Sequence, residues 1–307
     1  MIDQANLEIQ PEGILPNESS NKPESRIIPF HTVDIWHPGD AQIIHDELEV
    51  KNWKWPLATP VETLQTIAST FPEGQLVVRE RKGNPIASLI TNRVNWNGNL
   101  DTLPTWDEVV GILEEGNSVY GGDCTETYKQ EGNTLVLLSM NGNPDIKGLA
   151  RNLLEHIKGV ANTIGVEHLI GPFRPSGYGE FKMNILKSMM ETPDSFDLDA
   201  YKKATDFETY CKMTILKDGQ VLPQDAWLRS VTHNGMIPLK AQKDAMKIVV
   251  SPDEFIQGKN ESESKGNKWI EISPGIWEFG EVGRFYKYNE YAEYKEDNYW
   301  GKLPISS

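Results

Sequence analysis

The residues best placed to do chemistry lie in one run, Asn133–Tyr178, and much of that chemistry belongs to the backbone. Asn141-Gly142-Asn143-Pro144-Asp145 is a cluster of turn-forming residues, and Gly148-Leu149-Ala150 follows at once. A glycine-led turn feeding a helix N-terminus aims free N–H groups, and the positive end of the helix dipole, at one place. Such a place holds a phosphate, which suggests a nucleotide-like cofactor. A plain βαβ crossover needs a similar turn, so the turn alone leaves both meanings open.

The flanking elements position it. Thr134–Met140 is an uncharged apolar run, as a strand buried on both faces requires. Leu149, Leu153, Leu154, Ile157, Val160, Ala161 and Ile164 recur at spacings of three and four, which predicts a helix. Gly165 ends that helix, and Val166–Ile170 opens the next strand.

With these neighbours, Gly148-Leu149-Ala150-Arg151-Asn152-Leu153-Leu154-Glu155 resembles the acyl-CoA-binding motif of the GCN5-related N-acetyltransferases, the GNAT superfamily. In that family a Gln/Arg-x-x-Gly-x-Gly/Ala turn wraps the pyrophosphate of coenzyme A. The frame here is Asp145-Ile146-Lys147-Gly148-Leu149-Ala150: Gly and Ala match, Asp145 stands at the Gln/Arg position, and the loop before it is short. Lys147 offers a positive charge in exchange. Phe71–Val78 and Gly83–Ile90 read as a hairpin similar to the strands preceding the cofactor strand in GNAT proteins. Leu103–Val109, Asp225–Arg229 and Lys295–Trp300 resemble segments of large family members, so the likeness spans roughly residues 60–300 and is tightest at 134–171.

The resemblance implies an α/β (α+β) GNAT-like acyl-CoA N-acyltransferase fold: a central mixed, mostly antiparallel sheet flanked by helices, with a C-terminal elaboration. It implies a transferase that uses acetyl-CoA or another acyl-CoA as co-substrate and moves a short acyl group to a small-molecule amine by direct attack. Ile146, Lys147, Gly148, Leu149, Ala150 and Arg151 would face the pyrophosphate. The edge of Leu138, Ser139 and Met140 would hold the pantetheine arm and the thioester oxygen. Tyr178 is the family-like candidate for protonating the leaving thiolate; packing against its own glycines is the other reading. Asp123 and Glu126, with Glu131 behind them, are candidates for the base or for holding its water, set against ordinary solvated carboxylates. Arg174 suits a substrate carboxylate or a helix cap. Two alternatives remain: a GNAT-fold binding module without catalysis, and a malonyl-CoA decarboxylase or carrier-loading domain. The decarboxylating relatives carry a His where Asn234 stands here, with His233 one position off.

Composition narrows the rest. Forty-five acidic against 30 basic residues give a net charge of −15, which argues against a general nucleic-acid binder. No apolar run is long enough to span a bilayer, and no leader is expected at the start. Two cysteines give neither a disulfide framework nor a zinc site, and the histidines show no metal spacing, so no metal and a cytoplasmic location are expected. Neither Gly-x-Ser-x-Gly nor His-Glu-x-x-His occurs. The expected partner is a small amine, and a homodimer is compatible with the aromatic-rich C-terminus. Residues 1–25 read as a mobile arm and 26–303 as a single elaborated domain, with a flexible loop at 258–268.

Overall fold

The structure, a computed structural model, describes residues 32–111, 123–143, 145–191 and 196–305. The expected arm at 1–25 lies outside the described residues.

The chain runs β1 (Thr32–Ile35), α1 (Ala41–Ile44), a π-helical turn His45–Glu49, α2 (Val50–Asn52), α3 (Val61–Thr70), then the hairpin β2 (Leu76–Arg79) and β3 (Pro85–Val94). Next come α4 (Trp106–Val110), α5 (Cys124–Thr127), β4 (Thr134–Gly142), α6 (Leu149–Thr163), β5 (His168–Pro172) and α7 (Tyr178–Met190). The C-terminal part holds α8 (Leu198–Ala204), α9 (Phe207–Lys212), the hairpin β6 (Thr214–Lys217) and β7 (Gln220–Pro223), and α10 (Ala226–His233). It ends with β8 (Ile237–Val250), α11 (Pro252–Ser264), β9 (Ile270–Ser273), β10 (Ile276–Glu278), β11 (Arg284–Lys287) and β12 (Ala292–Leu303).

One mixed, mostly antiparallel sheet organises these elements, flanked by helices as expected. Its order is β1-β2-β3-β4-β5-β12-β11-β10-β9, with β8 also paired to β12. Among the described residues only β4 and β5 pair in parallel within it. On one face α6 buries Leu149, Leu153, Leu154, Ile157 and Ala161, its apolar stripe, against Leu76, Val78, Leu89, Leu135 and Leu137. On the other, Ala41, Ile44, Leu48, Leu64 and Ile67 pack with Val77 and Ile90. Each face thus seals one side of the β3–β4 pair, so β3 is almost continuously buried and β4 is buried over Thr134–Leu137.

Two expectations change. Residues 258–268 are not a loop up to Ser264, because α11 covers them. The Ser251 hydroxyl and Glu254 cap each other's backbone, Pro252 opens the first turn, and Gln257–Glu261 and Lys259–Glu263 bond one turn apart. The Gly-flanked loop expected around Tyr178 ends at Gly177, and α7 begins at Tyr178. β8 is a single long strand that runs along most of β12.

Candidate active site

The site is built where β4 and β5 part. Their parallel register is Thr134–His168, Leu135–Leu169 and Val136–Ile170, and it stops there. β5 stays paired to β12 on its other edge throughout, Leu169 with Leu303 to Pro172 with Trp300, so beyond Ile170 it keeps β12 and leaves β4. A register shift against β3, between Ile90/Ser139 and Thr91/Leu137, inserts Leu138 as a bulge in β4 at the same level. From Leu138 onward the β5-facing edge of β4 therefore has no strand partner among the described residues.

A cleft of about 910 Å³ opens along that edge. One end is bordered by Asn143, Ile146, Gly148, Leu149 and Ala150. Gly148 caps α6 in the left-handed region, φ 89°, and no side chain caps the helix. The first bond back into the helix runs from Asn152 N–H to Gly148 C=O, which leaves the preceding amides at this end without helical partners. Lys147 and Arg151 are exposed beside the turn, and Arg151 pairs with Glu155 at 2.8 Å. The other end is closed by Asn52-Trp53-Lys54, by Arg174, and by Gly280-Glu281-Val282 of the loop before β11.

That far end is an ion network. Arg174 Nε donates to both oxygens of Glu296 at 2.9 and 3.0 Å, and its Nη2 donates to Glu281 at 2.7 Å. Lys54 meets the second oxygen of Glu281 at 3.0 Å, and the Arg174 guanidinium lies 5.3 Å from the Trp53 ring centre. Burial pushes the Glu281 carboxyl up, but Arg174 and Lys54 outweigh it and hold it below the usual carboxylate range. Glu281 is therefore ionised and committed to its partners. Arg174 does border the cleft, yet two protein carboxylates already take the bidentate role expected for a substrate.

The expected site residues divide sharply. Leu138, Ser139, Met140, Ile146, Gly148, Leu149 and Ala150 all line the cleft. Tyr178 does not: it is buried, its hydroxyl donates to the Thr205 carbonyl at 2.5 Å, and burial raises its pKa well above that of a free phenol. Its place at the start of α7 packs it against Phe207 and Tyr210, so its chemistry is consumed by the core. Asp123 caps α5, accepting from Thr125 N–H at 3.0 Å, and Glu126 is exposed on the same short helix; neither borders the cleft. His233 is exposed at the end of α10 and is equally remote from the lining. The residues missed from sequence are Trp53, Lys54, Glu281 and Glu296, which come from three separate segments and share no local signal. Among the described residues no group of His, Cys, Asp and Glu is arranged to hold a metal ion, and no helix is long and apolar enough to cross a membrane.

No protein-family model matches the chain, and no curated protein matches it. Solved structures of GNAT proteins are similar to it. The loading GNATL domain of CurA from Lyngbya majuscula aligns over 69% of this chain and 87% of that one, at 17% identity and a TM-score of 0.48. The GphF GNAT-like decarboxylase in complex with isobutyryl-CoA aligns over 70% and 91%, at 17% identity and a TM-score of 0.46. The GNAT family N-acetyltransferase YhbS from Escherichia coli in complex with CoA aligns over 56% and 71%, at 14% identity and a TM-score of 0.30.

Proposed function

We propose that this chain is a GNAT-type, CoA-dependent acyltransferase that moves an acetyl or other short acyl group onto the amine of a small molecule. The observation that carries the reading is the unpaired β4 edge running from Leu138 directly to the uncapped N-terminus of α6. An extended pantetheine arm bonds like an added strand along such an edge, and a pyrophosphate suits the amides at its end. The cleft fits both: its α6 end offers backbone N–H groups, and Met140, Ile146 and Leu149 supply apolar walls. The titratable groups closing the far end, Lys54, Arg174 and Glu281, place charge where an acceptor would approach.

A second reading, a binding module without catalysis, draws support from the absence of Tyr178, Asp123 and Glu126 from the cleft. Calorimetric titration with acetyl-CoA, free CoA and malonyl-CoA tests the shared premise. Saturable micromolar binding followed by thiol release with an amine supports the enzyme. Binding without thiol release supports the module, and no binding removes both.

A further inference from the structure

Beneath the cleft lies a buried carboxylate that the reading above leaves unused. Glu49, the last residue of the π-helical turn, is fully buried. Its Oε2 accepts from Thr59 N–H at 2.9 Å, and its Oε1 accepts from Asn141 Nδ2 and from Ser139 Oγ, the latter at 3.3 Å. Among the described residues no Lys, Arg or His forms an ion pair with it. β4 and α1 carry no charged residue. On β3, Arg93 is spent on the carbonyls of Gly132 and Ile164. On α2, Lys51 pairs with exposed Glu47; within the turn, Asp46 accepts from Gln42, and His45 bonds the Thr59 carbonyl. Burial pushes the Glu49 carboxyl up, and the three hydrogen bonds offset only part of this.

Two members of the cluster reach the cleft. Ser139 and Asn141 project from β4 immediately after the bulge, and both border the cleft. The Ser139 hydroxyl is half-buried, so it links the cleft to Glu49. Asn141 is buried, donates to both Glu49 and Ser139, and its Oδ1 has no hydrogen-bond partner. A buried acceptor without a donor is uncommon enough to ask for a ligand N–H.

We propose that Glu49 is the terminal proton acceptor for the acyl transfer, reached from the cleft through the Ser139 hydroxyl, with Asn141 holding the pair and offering Oδ1 to the incoming amine. This rests on the acyltransferase reading and narrows its acceptor to a primary amine that arrives as an ammonium ion. The ammonium gives a proton to Ser139 Oγ as Ser139 gives its own to Glu49, leaving a neutral amine and a carboxylic acid. The amine nitrogen then bonds to the thioester carbon, the C–S bond breaks, and the second N–H proton goes to the leaving sulfur. The product is an amide and a free thiol; Glu49 returns its proton to solvent after product leaves.

The test is the pH profile of thiol release from acetyl-CoA with a set of primary amines (a polyamine, an arylalkylamine and a lysine peptide), alongside CoA affinity by calorimetry. Wild-type kcat/KM should fall on the acid side through an apparent pKa above the ordinary carboxylate range. Glu49→Gln keeps the shape and should lower kcat at neutral pH by about 10²–10³-fold, with CoA affinity intact. Its activity should recover at high pH, where free amine exists in solution; a merely structural role would show no such recovery. Ser139→Ala should lose activity to a similar extent, and it decides alone if Glu49→Gln does not fold. Wild-type rate and profile in either variant would overturn the relay while leaving the acyltransferase intact. A wild type that binds CoA but releases no thiol with any amine would overturn the acyltransferase reading and the relay with it.

Discussion

Gly171 and Leu137 touch where β4 and β5 begin to part: a Cβ on Gly171 would lie 2.9 Å from Leu137 Cβ and 3.3 Å from its carbonyl oxygen. The splay that makes the cleft thus starts from a contact too close for any side chain. The close approach lies one residue beyond the last β4–β5 pair, Val136–Ile170, while β5 holds β12 on its other edge.

Gly171→Val should therefore act on the fold and the cleft together. Overpacking of this kind costs about 1–3 kcal/mol, readable as a lower denaturation midpoint in urea. Because the new methyl groups enter at the head of the open edge, CoA affinity should also fall by about tenfold, or about 1.4 kcal/mol. A destabilised protein with unchanged CoA affinity would separate the splay from the binding site.

Gly148→Glu tests the other end. A Cβ at Gly148 meets nothing within 4 Å, so there is no clash, but φ 89° is strained for any L residue by about 1–2 kcal/mol. The added carboxylate would face the place proposed for the pyrophosphate. CoA binding should weaken by about 100-fold or more in calorimetry, with the fold retained by circular dichroism. Gly148→Ala carries the strain without the charge, so its smaller loss measures how much of the effect is electrostatic.

The half of the cleft around the α6 turn was legible because it is local. Gly148, Ala150 and the apolar spacing of α6 sit within one run of chain, and their geometry follows from residue type. The far end was not, because Trp53, Arg174, Glu281 and Glu296 meet only after the sheet closes. The last strand hid for a related reason: β12 turns Glu296 and Asn298 inward with Tyr294, so buried polar residues break the apolar alternation that marks a strand. Tyr178 misled for the opposite reason. Its glycine neighbours advertise a loop, while Asp225 accepts from Gly177 N–H at 2.8 Å and the helix starts one residue later.

Tyr178→Phe follows from that correction. Removing the hydroxyl strips the Thr205 carbonyl of a buried donor, which costs about 1 kcal/mol of stability in urea denaturation. CoA affinity should be unchanged. A Phe variant of normal stability that has lost thiol release would return Tyr178 to the chemistry.

Asp107 supplies a prediction about pH. It is the second residue of α4, and both carboxylate oxygens accept from Lys247 N–H at 3.1 Å. Burial outweighs those bonds and the Lys247 charge, raising its pKa from 3.8 to about 7. The folded protein therefore keeps a proton that the unfolded chain has released. The stabilisation from this residue is complete below about pH 4 and is lost as pH rises through about 7. Each pKa unit corresponds to about 1.4 kcal/mol, and partial exposure reduces the total to on the order of 1–3 kcal/mol. Asp107→Asn cannot ionise and still presents an oxygen to Lys247. Its stability relative to wild type, from urea denaturation at several pH values, should rise by that amount between about pH 4 and about pH 8. A gap that stays constant would mean that Asp107 titrates in the folded protein as it does in the unfolded chain, the Lys247 bond and the α4 N-terminus offsetting burial.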